Sequence, residues 1–467
     1  MTSEPRSADP YQRSLEFLYD RLNYERQVRG AAKYPFGLQR ITELIGRLGL
    51  SHYLYRPGVE PEVPLVHVAG TKGKGSTATM VASVLAAAGY RTGLYSSPHL
   101  HCLEERFRVN DQPCTRDELV ALVDQVRAPA MEIGEDDNGP PSFFELTTAM
   151  AFLHFENRGC DAIVVEVGLG GRLDSTNFCS PSVTAVTSIG LDHQQVLGNS
   201  LEEIAGEKAG IIKSGIPVVS GVTQPQPASV IVERADAANA PLFQISEHFD
   251  WEHVPKQVWG STVTVGGRCS PLSDRQQFDL AMDGAHQAKN ASIATVLIDL
   301  LRQQGLQLDD AALRKGMASS QCAGRIEHWQ LSDGRLAIID SAHNEDSVSA
   351  LCQTLEHRCS GRPITMVFGT SIDKTAEPML KRLMVVSSQL VLTRFLGNPR
   401  FRDPALLLPL VPPEFADQTT VVDDPIRACE FALAETPRGG VLVICGSFFL
   451  AAECRYWVQD RAACSSH

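Results

Sequence analysis

Between Pro64 and Ala88 a short apolar run, three closely spaced glycines and an apolar-striped segment follow one another, and few folds accept that order. Pro64-Leu65-Val66-His67-Val68 reads as a buried β-strand. Ser76 to Ala88 reads as a helix, with Val81, Val84, Leu85 and Ala88 on one face. Strand, glycine-rich turn and helix together make a phosphate cradle. Gly70, Gly73 and Gly75 let the backbone turn tightly and aim its N–H groups at one point. The helix N-terminus adds partial positive charge there, and Lys74 adds a full one. The spacing departs from the standard P-loop, whose first glycine would fall at Val68. Lys74 is followed by Gly75 rather than Ser or Thr, so the first hydroxyls are Ser76 and Thr77. The stretch reads as a variant nucleotide loop with Ser76 as the expected Mg²⁺ ligand. A βα turn that held nothing would gain little from crowding Lys72, Lys74 and two hydroxyls onto a helix start that prefers anions.

Composition narrows what such a loop can serve. The chain has 467 residues, material for two or three domains, and its 43% apolar content is that of a globular protein. The formal net charge of −13 argues against nucleic acid as the main partner, because phosphate backbones want a basic surface. ATP needs only a few local charges. The opening MTSEPRSADP has no apolar core and is not expected to be a signal peptide, and no run approaches the length of a membrane span. The 12 cysteines are scattered without a C-x-x-C pair, so reduced thiols in a cytoplasmic protein are expected rather than disulfides or structural zinc.

Along the chain, residues 1 to about 10 read as disordered, and Tyr11–Gln27 and Gly37–Leu50 as helices. After the phosphate loop and its helix, closed by Gly89, Arg91–Ser96 reads as a strand and Asp117–Val126 as a helix. Asp136–Pro141 is an acidic loop, and Ser142–Glu156 a helix with a capping box between Ser142 and Glu145. Asp161–Val167 and Val183–Ile189 are apolar runs of the kind buried on both faces of a parallel sheet. Leu201–Lys213 reads as a helix and Pro217–Val219 as a strand; from Phe243 to Leu280 the pattern weakens into short strands. Gln287–Gln304 and Asp309–Ala318 read as helices, and a boundary falls near Cys322-Ala323-Gly324-Arg325. Beyond it, strands at 335–339, 364–368, 390–393, 419–422 and 441–445 alternate with helices. The expectation is an α/β chain: a P-loop-type, mostly parallel ATPase domain over residues 1–323, then a smaller Rossmann-like domain over 324–467.

Ligands of open parallel sheets sit beyond the carboxyl ends of the strands. Three such ends carry reactive groups: the phosphate loop, Glu166, and Asp192-His193. A strand-end carboxylate opposite a triphosphate typically holds Mg²⁺, and the apolar run before Glu166 makes a free surface role a poor alternative. His193 alone would be structural more often than not; beside Glu166 it becomes a candidate second-metal ligand. Lys208 lies on the apolar stripe of its helix with Leu201 and Ile204. A bare ammonium there is costly, so it pairs with phosphate, is carbamylated, or snorkels past a thin edge of the core. Periodicity leaves these open. Asn290 shares a helix face with Ile293, Ala294 and Leu297 and needs a partner, either a ligand base or a neighbouring backbone group. Asp340 ends a strand and His343 follows it, a weak signal by itself.

Taken together, GTKGKGST (Gly70–Thr77), SSPHL (Ser96–Leu100), ERFRVN (Glu105–Asn110) and SFFELTT (Ser142–Thr148) resemble the folylpolyglutamate synthase/dihydrofolate synthase family of the Mur ligase superfamily. EVGLGGRLDSTN (Glu166–Asn177), GLDHQQVLG (Gly190–Gly198), GEKAGIIK (Gly206–Lys213), GAHQAKNAS (Gly284–Ser292) and GSFFLAAE (Gly446–Glu453) continue the resemblance in family order. The SSPHL and FFELTT segments favour the folate branch over the peptidoglycan branch. The resemblance implies an ATP-dependent ligase that adds L-glutamate to dihydropteroate, to reduced folates, or to both. Gly70, Thr71, Gly73, Lys74, Gly75, Ser76 and Thr77 would hold the ATP phosphates, and Asn290, Arg325, Asp340 and His343 would complete the ATP site. Ser76 and Glu166 would bind a first Mg²⁺; Glu166, His193 and a carbamylated Lys208 would serve a second. Lys74, His193 and Lys208 are the expected catalytic residues. Ser97, His99, Arg106 and Phe144 would lie near the pterin-bearing substrate, and Ser447 near glutamate. Two domains closing at Gly324 would keep water from an acyl phosphate. A cytoplasmic monomer is expected, without nucleic-acid or membrane partners. The chain departs from the pattern at Cys322-Ala323 before Gly324, at Glu345 after Asn344, and at Thr375 after Asp373-Lys374, which bears on glutamate preference. A peptidoglycan-type ligase and a regulatory ATP-binding module are the rival readings.

Overall fold

A computed structural model of the chain describes residues 9–23, 37–133, 139–270, 272 and 275–462. The expected disorder before residue 9, the helix beyond Asn23 and residues 136–138 of the acidic loop lie outside the described residues. The described residues form two compact units: the larger takes those up to Ala281 together with His286–Gln321, and the smaller takes Met282–Ala285 and those from Cys322.

The larger unit is built on eight strands: β1 (Leu65–Ala69), β2 (Thr92–Tyr95), β3 (Phe107–Val109), β4 (Gln112–Pro113), β5 (Ala162–Glu166), β6 (Val183–Val186), β7 (Val218–Ser220) and β8 (Leu242–Gln244). Their order is β4-β3-β2-β5-β1-β6-β7-β8, parallel from β2 through β8, with β3 and β4 added antiparallel at one edge. All residues of β1, β2, β5, β6 and β7 are buried, as continuous apolar runs covered on both faces require. Val68 of β1 pairs with Glu166 of β5, and Ala69 with Val186 of β6. That register sets Glu166 on one side of the loop that leaves β1 and Thr187 on the other.

Three antiparallel strands follow, β9 (Phe249–Pro255), β10 (Ser261–Gly267) and β11 (Gln276–Leu280), where the sequence pattern weakens. Burial alternates along β11, so only every second residue needs to be apolar. The smaller unit holds β12 (Glu327–Gln330), β13 (Leu336–Ile339), β14 (Ile364–Phe368), β15 (Gln389–Leu392), β16 (Thr419–Val421) and β17 (Val441–Cys445). Their order is β12-β13-β17-β14-β15-β16, with only β12 antiparallel.

Several boundaries differ from the sequence reading. The helix expected over 117–126 runs from Arg116 to Ile133, through Pro129, because Ala130 and Ile133 continue the buried stripe of Leu119, Leu122, Val123 and Val126. The helix expected over 201–213 ends at Ala209, where the chain turns through Gly210. The helix Pro225–Ala237 and the strands β8 and β12 give no clear periodic signal; β12 has no fully buried residue.

Candidate functional site

The helix Lys74–Ala87 begins on Gly73, whose φ of 86° is left-handed, and no side chain caps its N-terminus. Its first amides are therefore left for a ligand. A Cβ on Gly70 would strike Thr187 Oγ1, and one on Gly73 would strike Asn290 Oδ1. Those two glycines are needed for close approach as well as for turning.

The loop is braced from β6. The Thr187 hydroxyl donates to the carbonyl of Lys72 at 2.6 Å, the Lys72 amide donates to Ser188 Oγ at 2.9 Å, and Thr71 and Gly190 exchange contacts through the Thr71 hydroxyl. The ammonium of Lys72 pairs with Asp192 at 3.0 Å. Lys74 is different: among the described residues its ammonium makes no hydrogen bond and no ion pair, and its charge acts on the buried Asp174 carboxylate and the Lys208 ammonium. Thr77 Oγ1 is likewise buried without a partner. Thr187 and Ser188 were not singled out from sequence; hydroxyls just past an apolar strand are the only signal they give.

Glu166 is 5% exposed. Its carboxylate oxygens lie 3.3 and 3.4 Å from where a Cβ on Gly75 would sit, beside Ser76. Oε2 also accepts the Ser97 amide at 3.1 Å. The Ser96–Leu100 loop is thus tied to the carboxylate at the phosphate loop. Beyond Ser97, Arg106 is fully buried, and its Nε–H donates to His99 Nδ1 at 2.9 Å. That bond requires His99 Nδ1 to be unprotonated. The Arg106 guanidinium stands 5.2 Å from the centre of the Phe143 ring, and Phe144 packs on Gly168 and Tyr95. Phe143 and Phe144 start a helix whose cap, Ser142, exchanges bonds with Glu145. Glu145 in turn holds Arg40 in a buried ion pair at 3.0 Å. The sequence gives no sign of Arg40, since nothing local distinguishes it from a surface arginine.

Lys208 is buried, as its place on the stripe requires, and its ammonium donates to the Gly70 carbonyl at 3.1 Å. Burial, and then the nearby charge of Lys74, bring its pKa from 10.5 down to about 7, against the opposing pull of Asp192. A lysine snorkelling to water is excluded at this position. His193 opens a short helix in a left-handed conformation, half exposed, 3.9 Å from Asp192. Among the described residues no three His, Cys, Asp or Glu side chains gather as a metal cluster. Ser76 and Glu166, a hydroxyl and a carboxylate, are nevertheless the hard oxygen donors that Mg²⁺ prefers.

Asn290 lies against Gly73 and donates to Gln287 Oε1 at 3.1 Å. In the smaller unit Asp340 is buried and accepts the amides of Ile326 and Ala342, each at 2.8 Å. Burial raises its pKa, and the charge of Arg325 opposes that rise. His343 Nδ1 donates to the Ser341 carbonyl at 2.9 Å, which assigns the hydrogen to that nitrogen. Ser447 is buried and caps the helix Phe448–Gln459 through a bond from the Phe449 amide.

Two family models match the chain: the Mur ligase middle domain over residues 68–298, and the Mur ligase glutamate ligase domain over residues 324–448. The dihydrofolate synthase/folylpolyglutamate synthase of Bacillus subtilis is 34% identical over 427 residues, covering 90% of this chain and 94% of that protein. A Mycobacterium tuberculosis folylpolyglutamate synthase solved in complex with ADP superposes with a TM-score of 0.84 at 29% identity, over 96% of this chain and 98% of that one. Escherichia coli FolC solved in complex with DHPP and ADP superposes with a TM-score of 0.80 at 28% identity, over 98% of this chain and 100% of that one.

Proposed function

Because the chain belongs to the folylpolyglutamate synthase/dihydrofolate synthase family of Mur ligases, ATP-dependent enzymes that form amide bonds, we propose that it adds L-glutamate both to dihydropteroate and to reduced folates. The observation that carries this reading is the Ser97–Glu166 contact. It joins the loop that distinguishes the folate branch to the carboxylate beside the phosphate loop. The wider superfamily supplies the peptidoglycan-type alternative, which the whole-length folate relatives do not favour. A bare ATP-binding module would need neither the SSPHL loop nor a buried Lys208.

The proposed reaction has two steps. The substrate carboxylate attacks the γ-phosphate of ATP, ADP leaves, and an acyl phosphate forms. The α-amine of L-glutamate then attacks the acyl carbon, phosphate leaves, and the amine gives up its proton as the amide forms. Lys74 and the uncapped amides of its helix hold the phosphates and offset charge as it develops. Bound Mg²⁺ would supply further charge neutralisation; Ser76 and Glu166 would hold it, and Glu166, His193 and a carbamylated Lys208 would hold a second ion. A pKa near 7 keeps a substantial share of Lys208 as neutral amine, the form that reacts with carbon dioxide. Ser97, His99, Arg106 and Phe144 face the pterin-bearing substrate in this reading. It also carries a cytoplasmic monomer.

The test is phosphate release from ATP with L-glutamate present, comparing dihydropteroate with tetrahydrofolate. Release with both supports the bifunctional reading, and release with one narrows it to that substrate. Release with neither, or release independent of glutamate, overturns it.

A further inference from the structure

The smaller unit carries a cation that none of its described residues neutralises. The loops leaving the carboxyl ends of β14 and β15, residues 369–375 and 393–403, are stitched together. The Ile372 amide donates to the Arg400 carbonyl and the Arg402 amide to the Thr370 carbonyl, both at 2.8 Å, with Ser371 bridged to Phe401 between them. Arg400 closes the seam with an ion pair to Asp373 at 2.9 Å. Arg394 has its own carboxylate, Asp423, at 3.4 Å, and lies over the Phe401 ring.

Arg402 has none. Its Nη2 donates to two main-chain carbonyls, Ile372 at 2.9 Å and Lys374 at 2.8 Å, and no carboxylate pairs with it among the described residues. A guanidinium held by neutral carbonyls is fixed in direction but keeps its full charge. Unmet polar atoms crowd the same strand ends: Ser341 Oγ after β13, Thr370 Oγ1 and Asp373 Oδ1 after β14, and Arg394 Nε and Arg402 Nε after β15. Buried polar atoms without partners call for an explanation, and the carboxyl edge of a parallel sheet is where ligands of such sheets bind.

We propose that Arg402, held by the Ile372 and Lys374 carbonyls, binds a carboxylate of the acceptor amino acid, L-glutamate. This rests on the ligase reading above and assigns the residue that recognises its amino-acid substrate. L-glutamate carries two carboxylates and is the anionic partner a preset, unneutralised guanidinium calls for. Asp373 does not compete for that guanidinium, because Arg400 already holds it.

The test compares wild type with Arg402→Gln and Arg402→Lys in full-length protein, by steady-state phosphate release with ATP, dihydropteroate or tetrahydrofolate, and L-glutamate varied in turn. Arg402→Gln is expected to raise KM for glutamate about tenfold or more, with KM for ATP and for the folate unchanged. Arg402→Lys keeps the charge and is expected to recover part of that loss. An unchanged glutamate KM, or equal losses for all three substrates, overturns the assignment. A second measurement needs no variant: phenylglyoxal labelling of Arg402 in wild-type protein, read by peptide mass. L-glutamate, added with dihydropteroate and a non-hydrolysable ATP analogue, is expected to protect Arg402; labelling that glutamate leaves unchanged overturns the assignment. If wild type shows no glutamate-dependent phosphate release, the ligase reading fails, and that failure is distinct from a failure at Arg402.

Discussion

Lys208 shows what one residue costs and what it offers. In the unfolded chain its ammonium holds its proton up to about pH 10.5, while in the fold it releases it near 7. Between those values the unfolded state binds more protons, so stability rises with pH across that window. Below pH 7 the full penalty is present, about 5 kcal/mol from the displacement, partly offset by the bond to Gly70. Lys208→Met is therefore expected to abolish turnover and yet to raise unfolding stability by about 3 kcal/mol at pH 6 in carbonate-free buffer. Denaturant titrations from pH 6 to 10 should show the gain shrinking as pH rises. A variant less stable than wild type at pH 6 would contradict the assigned burial cost. Lys208 was legible as an odd residue on an apolar stripe, but its direction was not, because the Gly70 carbonyl it meets lies 138 residues earlier in the chain.

At the scale of elements, the helix Phe143–Asn157 ties the phosphate side to the expected pterin side. Its capping box was readable from Ser142 and Glu145 alone, because the bond pattern is local. The tertiary fold adds Arg40 to the same carboxylate, so Glu145 serves the Ser142 amide, the Ser142 hydroxyl and a buried guanidinium together. Removing one partner of such a pair strands the other charge. Arg40→Met is expected to lose about 3–5 kcal/mol in urea unfolding, and Arg40→Met with Glu145→Gln to regain much of it. Equal losses in the single and double variants would show that packing, rather than charge, holds this helix. The helix Arg116–Ile133 teaches the converse lesson. Pro129 reads as a stop, but the buried stripe on either side of it carries the helix on.

For the molecule as a whole, the described residues pass between the two units around Ala281–His286 and again at Gln321–Cys322. The first passage contributes Asp283 to the smaller unit, where it forms a two-point buried ion pair with Arg358, at 3.0 Å through Nε and 2.8 Å through Nη2. A fragment of residues 322–462 lacks that carboxylate. It is expected to be about 3–5 kcal/mol less stable than the unit is in the full chain, and Arg358→Leu is expected to restore most of the loss, as read by its denaturant midpoint. No change on Arg358→Leu would mean that the pair contributes nothing to the unit. The sequence by itself determined the parallel α/β character, the glycine-rich turn that carries Lys74 between β1 and its helix, the place of Glu166 at the end of a buried strand and the family, because strand runs, glycine spacing and strand-end residues are local signals. Only the tertiary structure decided that Glu166 meets Ser97, that Asn290 rests on Gly73, that Arg40 meets Glu145, and that Arg402 has no carboxylate partner among the described residues. Those outcomes depend on the register of β1 with β5, on burial and on pairings between distant segments, and a side chain's charge environment is fixed only once those are in place.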